Sequence, residues 1–165
     1  MKKIVLTITS IFIFCSGNLL LAENNSSQLP SFVYPLLDSK VSSKYGNRKH
    51  PIKKVTRHHN GIDLATPKDT PIRAISAGKV IFADPHFGYG KLIVIEHSDG
   101  KTSHYGHCDR IISQIGKDVS AGEIIGYVGD TGSATGPHLH LEIRENGKPL
   151  DPLKIFPWLI VEAEG

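Results

Sequence analysis

Two histidines separated by one residue, His138 and His140, are the side chains of this sequence best placed to do chemistry. Apolar and polar residues alternate strictly from His138 to Arg144, which predicts a half-buried β-strand with Leu139 on its core face. The two histidines then share the other face, with their α-carbons about 7 Å apart. Two imidazoles at that separation can address one metal ion or one water molecule. The alternative is a strand whose exposed face carries two histidines without a function.

A second pair of candidate ligands, His59 and Asp63, lies in the segment His-His-Asn-Gly-Ile-Asp. Asn60 and Gly61 disfavour a helix between them, and an even separation keeps both side chains on one face of an extended segment. The spacing therefore predicts that the imidazole and the carboxylate converge. Taken alone, however, a histidine and an aspartate four residues apart are common by chance.

Other polar residues are candidates for the same site. His107 ends the motif Tyr-Gly-His, and Tyr105 is expected on the same strand face, where it lines the cleft or packs in the core. Arg48 lies in a basic loop and borders the site unless it is a solvated loop charge. Glu142 shares a face with His140, and we expect an exposed salt-bridge partner there rather than a residue that orients a ligand.

The remaining sequence predicts the strands that must carry these residues. An apolar strand over residues 91–97 leads through a turn at 98–100 into the strand of His107, and Asn146-Gly147 closes a further hairpin. Segments 70–82 and 118–125 share the pattern Ile/Val-Ser-Ala-Gly-Lys/Glu-Val/Ile-Ile, which indicates an internal β-turn-β duplication. With no long amphipathic helix, the sequence predicts a mainly β fold, a single antiparallel β-sandwich or open barrel.

The N-terminus has the pattern of an export signal. Lys2 and Lys3 precede an apolar run from Ile4 to Phe14, which predicts a secretory signal peptide over residues 1–22. An uncleaved membrane anchor is the alternative, although Ser16, Gly17 and Asn18 interrupt the run before it reaches the roughly 20 residues of a membrane span.

The rest of the chain is expected to form one domain. We assign residues 23–40 to an N-terminal arm, with ordered structure beginning near Phe32. Residues 41–156 form the domain, and residues 157–165 form a C-terminal tail that packs on the sheet.

Charge and cysteine content exclude some functions. Without residues 1–22 the chain has 17 basic and 16 acidic residues, a near balance that does not indicate a nucleic-acid partner. Cys108 is then the sole cysteine, which rules out an intrachain disulfide, and we interpret it as a small buried residue. The processed chain is expected to be a monomer without a membrane span.

Together these motifs resemble the lysostaphin-type (LytM-like) zinc metallopeptidases, and the resemblance runs from about Ser42 to Phe156. It rests on Tyr-Gly-x-Arg-x-His-Pro around Arg48, on His-Asn-Gly-Ile-Asp, on Tyr-Gly-His and on the closing Asn-Gly-Lys-Pro-Leu-Asp-Pro. It also includes Ala-Thr-Gly-Pro-His-Leu-His, in which Ala134 stands where the family commonly has serine.

The resemblance implies a fold of the duplicated hybrid motif type and a Zn²⁺ cofactor bound by His59, Asp63 and His140. It implies that His107 and His138 are the catalytic histidines. Two histidines and one carboxylate leave the fourth position of a tetrahedral zinc site open, as catalytic sites require. The sequence has no His-Glu-x-x-His, so a histidine must replace the glutamate base of many zinc peptidases.

The implied function is an exported endopeptidase of the periplasm, the cell wall or the extracellular space, with bacterial peptidoglycan as its partner. It would hydrolyse peptide cross-links or stem peptides, with Arg48 and Tyr105 as substrate-binding residues. One alternative is a non-catalytic cell-wall binding or amidase-activating module of the same fold. Another is a cytoplasmic phosphocarrier of related architecture, which the signal peptide argues against. The sequence leaves open whether a direct D-alanyl cross-link or a glycine bridge is cut.

Overall fold

Strands dominate the part of the chain that the computed structural model describes, residues 32–49 and 56–156. The predicted signal peptide, the first part of the arm and the C-terminal tail lie outside the described residues. In chain order the elements are β1 (Lys40–Ser43), β2 (Gly46–Lys49), β3 (Thr56–His59), β4 (Ile62–Ala65), β5 (Pro71–Arg73), β6 (Gly78–His86), β7 (Gly90–His97), β8 (Lys101–Ile111), β9 (Asp118–Val119), β10 (Ile124–Val128), β11 (His138–Glu145), β12 (Lys148–Leu150) and α1 (Pro152–Ile155).

Antiparallel pairing joins these strands into one large sheet and a separate ribbon. The main order is β1-β4-β11-β8-β7-β6-β9, with β12 on β11 and the β5–β10 ladder attached to β8, while β2 and β3 form the ribbon. The turns predicted at 98–100 and 146–147 join β7 to β8 and β11 to β12. The prediction of a mainly β, antiparallel fold is therefore confirmed.

The two units of the predicted duplication, β5–β6 and β9–β10, pair with each other. Within the described residues β5 pairs with β10 and β6 pairs with β9, so the first strand of each unit lies against the second strand of the other. Neither β5 nor β9 has another strand partner among the described residues. The first strand of each unit, β5 or β9, therefore has its strand partner in the other unit.

The apolar face of β11 forms the floor of the core. Leu139, Leu141 and Ile143 are at most 1% exposed and belong to one buried cluster with residues of β5, β7, β8 and β10. Burying one such side chain contributes about 1.5–3 kcal/mol. The stretch before β1, predicted as the end of the arm, packs on the same core, where Leu36 is 1% exposed.

Cys108 is fully buried on β8, as expected for a small core residue. Burial raises the pKa of its thiol to about 12, so the thiol stays protonated at neutral pH.

Tyr105 is fully buried in the core, so the prediction that it lines the substrate cleft is wrong. Its hydroxyl accepts hydrogen bonds from the Ile75 N–H and from the Ser103 hydroxyl, each at 2.9 Å. The cause is a bulge in β8, where the register against β7 shifts and His107 adopts a φ of 61°. Because a bulge breaks the two-residue alternation, residues 105 and 107 do not share a face.

Tyr105→Phe tests this buried hydrogen bond. The substitution leaves the Ile75 N–H without its acceptor in the core, which should lower the free energy of unfolding by about 1–3 kcal/mol. Equilibrium unfolding in urea measures the change in the free energy of unfolding. The control is Tyr127→Phe, because the half-buried Tyr127 ring packs under Arg110 at 4.1 Å and should tolerate loss of its hydroxyl. Equal midpoints for both variants would contradict the assigned role of Tyr105.

Candidate functional site

A cleft of about 400 Å³ lies on the polar face of β11. Every predicted site residue except Tyr105 lines it, namely Arg48, His59, Asp63, His107, His138 and His140. The structure therefore brings together residues that lie up to 92 positions apart in the sequence, from Arg48 to His140.

Strand register sets the positions of the candidate ligands. His140 on β11 lies opposite Asp63 on β4 and opposite Gly106 on β8. His59 ends β3, and the turn after it passes close to β11 at Gly61, where a Cβ atom would lie 2.2 Å from the Leu141 carbonyl oxygen. Only glycine fits this approach, which holds His59 against the other two ligands.

Three atoms of these side chains converge. The His59 Nε2 atom lies 3.1 Å from both Asp63 Oδ1 and His140 Nδ1, and His140 Nδ1 lies 2.8 Å from Asp63 Oδ1. The other ring nitrogens donate elsewhere, His59 Nδ1 to the Lys44 carbonyl at 3.0 Å and His140 Nε2 to Glu142 at 2.9 Å. In neutral imidazoles with these donors, His59 Nε2 and His140 Nδ1 are the acceptor nitrogens, so each can offer its lone pair to one metal ion.

The three ligand atoms have the chemistry of a zinc site. Two ligands about 2.1 Å from a tetrahedral ion are about 3.4 Å apart, so the observed separations need to open by only a few tenths of an ångström. Burial by itself raises the pKa of Asp63, but its contacts with the His140 and His59 rings outweigh burial and hold the pKa far below its ordinary value. Asp63 is therefore a carboxylate at neutral pH, as a metal ligand must be.

Glu142 is buried with 1% exposure, so the expectation of an exposed salt-bridge partner is wrong. It accepts hydrogen bonds from His140 Nε2, from the Tyr89 hydroxyl at 2.7 Å and from Arg144 Nε at 2.7 Å. Burial raises the pKa of Glu142, and these three bonds outweigh it, giving a pKa of about 2. The buried carboxylate fixes the His140 ring so that Nδ1 faces the other two ligand atoms.

Sequence reasoning missed Tyr89 and the burial of Glu142. The two-residue spacing from His140 to Glu142 was a usable signal, because it places both side chains on one strand face. Glu142 is contacted by Tyr89, which belongs to the β6–β7 connection and lies 53 residues away in the sequence. No local pattern reports such a contact.

The two remaining histidines lie beside the ligands as a pair. Their ring centroids are 4.7 Å apart, and the His107 and His140 rings are 5.8 Å apart. His107 Nδ1 donates to the Thr131 carbonyl at 2.7 Å, and His138 Nδ1 donates to the Gly136 carbonyl at 2.8 Å. Each neutral ring therefore keeps its Nε2 atom as a proton acceptor.

Two local features hold His107 in this position. Its left-handed backbone conformation, at the β8 bulge, turns the side chain into the cleft, and its N–H donates to the Tyr89 carbonyl at 2.7 Å. Burial lowers the pKa of His107, which favours the neutral ring at neutral pH. The glycine-rich segment before β11 supplies the carbonyl acceptors for both histidines.

A sequence model described as "Peptidase family M23" matches residues 57–152, which include the three candidate ligands and the histidine pair. The chain belongs to peptidase family M23. The predicted resemblance to lysostaphin-type enzymes is thereby confirmed at the level of the family, while the roles of individual residues stay predictions.

Two curated M23 relatives illustrate the similarity. The chain is 43% identical over 123 residues to the DD-carboxypeptidase/endopeptidase Mpg of Neisseria meningitidis, covering 74% of this chain and 28% of that protein. It is 39% identical over 135 residues to the peptidoglycan DD-endopeptidase ShyA of Vibrio cholerae, covering 80% of this chain and 31% of that protein. The chain thus spans less than a third of the length of these relatives.

Solved structures share the fold. A zinc-containing peptidase from Vibrio cholerae matches with a TM-score of 0.69 and 37% identity over 73% of this chain and 39% of that one. The catalytic domain of lysostaphin from Staphylococcus simulans matches with a TM-score of 0.64 and 33% identity over 74% of this chain and 92% of that one.

The contact between Glu142 and His140 makes a testable prediction. Glu142→Ala frees the His140 ring to rotate or change tautomer, and zinc affinity should fall by about 10–100-fold. Competition with a fluorescent chelator measures the zinc affinity. Glu142→Gln keeps an oxygen acceptor and should bind zinc more tightly than Glu142→Ala.

The matched control is Glu145→Ala, because Glu145 is exposed at the end of the same strand. Unchanged zinc affinity in folded Glu142→Ala would show that Glu142 does not support the ligand.

Proposed function

We propose that this chain is a zinc-dependent endopeptidase that hydrolyses peptide bonds in bacterial peptidoglycan. The observation that supports it most is the composition of one cleft, in which three metal-binding atoms converge beside two histidines that keep a free proton acceptor. The names of the two curated relatives, a DD-carboxypeptidase/endopeptidase and a peptidoglycan DD-endopeptidase, supply the substrate class.

His59, Asp63 and His140 would hold the metal. A zinc ion bound there would act as a Lewis acid, lowering the pKa of a water molecule towards about 7 and polarising the scissile carbonyl. Glu142 keeps the His140 ring oriented for this task. Its oxygens are occupied by His140, Tyr89 and Arg144, so Glu142 lines the cleft without being available as the general base.

His107 and His138 carry the proton transfers. A neutral ring accepts the proton of the attacking water at Nε2, and a protonated ring donates from Nε2 to the leaving amine. The 4.7 Å between the ring centroids brings both within reach of one reacting peptide group. The backbone carbonyls on their Nδ1 atoms keep each ring in the tautomer that this exchange needs.

The proposal includes export, because the pattern of residues 1–22 is that of a secretory signal and the substrate lies outside the cytoplasm. Among the residues of the described ranges, no helix has the length and apolar character of a membrane span.

The metal assignment predicts about one zinc ion per purified chain and release of soluble fragments from peptidoglycan. His140→Ala and Asp63→Ala should each lose the metal and the activity, since each removes one of three ligands. Metal analysis and a turbidity assay on purified walls measure the two effects. His86→Ala is the control, because His86 is exposed and is not among the residues that line the cleft.

Chelation should abolish wall digestion, and added zinc should restore it. A folded chain that binds no zinc and leaves every wall preparation intact would favour a non-catalytic binding module instead.

The histidine pair makes a separate prediction. His107→Ala and His138→Ala should keep the zinc and lower turnover by about 10²–10⁴-fold, because they remove a proton carrier and leave the ligands in place. Zinc content and initial rates on the same samples separate the two effects. Wild-type rates in either variant would exclude the two-histidine mechanism.

A further inference from the structure

The β2–β3 ribbon carries two arginines beside the candidate ligands. Arg48 and Arg57 lie directly opposite each other in its antiparallel register, and His59 follows Arg57 by two residues on β3. Residues paired across a ladder share a face, and so do residues two apart along a strand. The face that delivers His59 to the cleft therefore delivers both guanidinium groups, and both arginines line the cleft.

This pairing places two positive charges opposite each other, and Asp63 is the one carboxylate near them among the described residues. Like charges in this position destabilise a strand pair. The Arg48 Nη1 atom donates to the neutral Ser43 hydroxyl at 2.6 Å, and its distance to Asp63 Oδ2, 3.8 Å, exceeds a hydrogen bond. Asp63 is in any case shared between His59 and His140. For Arg57, no ion pair occurs with the part of the chain that the structure describes.

We propose that Arg48 and Arg57 bind a free carboxylate of the substrate next to the scissile bond. Guanidinium groups recognise carboxylates through paired, charge-assisted hydrogen bonds. The Arg48 guanidinium lies 3.8 Å from Asp63, one of the three candidate metal ligands, and therefore close to where a scissile bond would bind. The carboxylate therefore belongs to a residue close to the bond that is cut.

This inference rests on the proposed function and narrows its substrate class. A peptide whose terminal or side-chain carboxylate is unmodified would bind, and the same peptide with a carboxamide would bind poorly. The internal bonds of a glycine bridge have no side-chain carboxylate at this distance. The arginine pair therefore favours a direct cross-link between stem peptides over a glycine bridge.

Two soluble peptides with the same scissile bond test the inference, one with a free carboxylate on the neighbouring residue and one with a carboxamide there. The wild-type chain should cleave the carboxylate peptide with a kcat/KM at least about 10-fold higher than that for the carboxamide peptide, which corresponds to the contribution of a charged hydrogen bond. Arg57→Gln should reduce this ratio towards 1 mainly by raising KM, and Arg57→Lys should restore part of it.

Arg57→Gln is the primary variant because Arg57 makes no ion pair with Asp63 among the described contacts, so zinc content should not change. Arg48→Gln should also reduce the preference for the carboxylate peptide. Arg110→Gln is the control, because Arg110 stacks on Tyr127 rather than lining the cleft. A preference that persists undiminished in folded Arg57→Gln and Arg48→Gln would overturn the inference.

Binding gives a readout that does not require cleavage. In the His107→Ala chain, calorimetry should show at least about 10-fold tighter binding of the carboxylate peptide. Equal dissociation constants for the two peptides would overturn the inference while leaving the proposed function intact. A clear carboxylate preference in a chain that digests no wall preparation would support the inference and count against the proposed function.

Discussion

Antiparallel pairing of β11 with β4 on one side and β8 on the other is the constraint on which the site depends. It places His140 opposite Asp63 and opposite Gly106, and it turns Leu139 and Leu141 towards the core. A slip of one residue would move every histidine of β11 to the apolar face. The same hydrophobic burial that stabilises the sheet therefore also fixes the position of the candidate metal ligands.

In each of these histidines, one ring nitrogen is hydrogen-bonded to the protein, and this bond determines which nitrogen of the ring faces the cleft. Backbone carbonyls hold His59, His107 and His138 through Nδ1, and a buried carboxylate holds His140 through Nε2. His140 is the exception and therefore presents Nδ1 to the cleft, where the other three present Nε2. In the proposed function, the ring nitrogen left facing the cleft and the position of each ring together distinguish the metal ligands from the proton carriers.

Local patterns predicted much of this molecule, and their failures have physical causes. The alternation along β11, the turns before β8 and β12 and the repeated β-turn-β unit are all encoded within short segments. The expectation that Tyr105 binds substrate in the cleft fails because a bulge at the next two residues breaks the alternation, and the alternative of a packed tyrosine holds. The burial of Glu142 and the opposition of Arg48 and Arg57 depend on which distant segments pack together, which a single strand pattern does not report.

Tyr89 contacts the residues around His140 through its side chain and contacts His107 through its backbone. Its hydroxyl donates to Glu142, the residue behind the His140 ring, while its carbonyl accepts the N–H of His107. A change of side chain at position 89 can loosen the support of His140 and leave the backbone support of His107 in place. In the proposed mechanism, metal affinity and proton transfer can therefore change separately during evolution, through a residue that belongs to neither group.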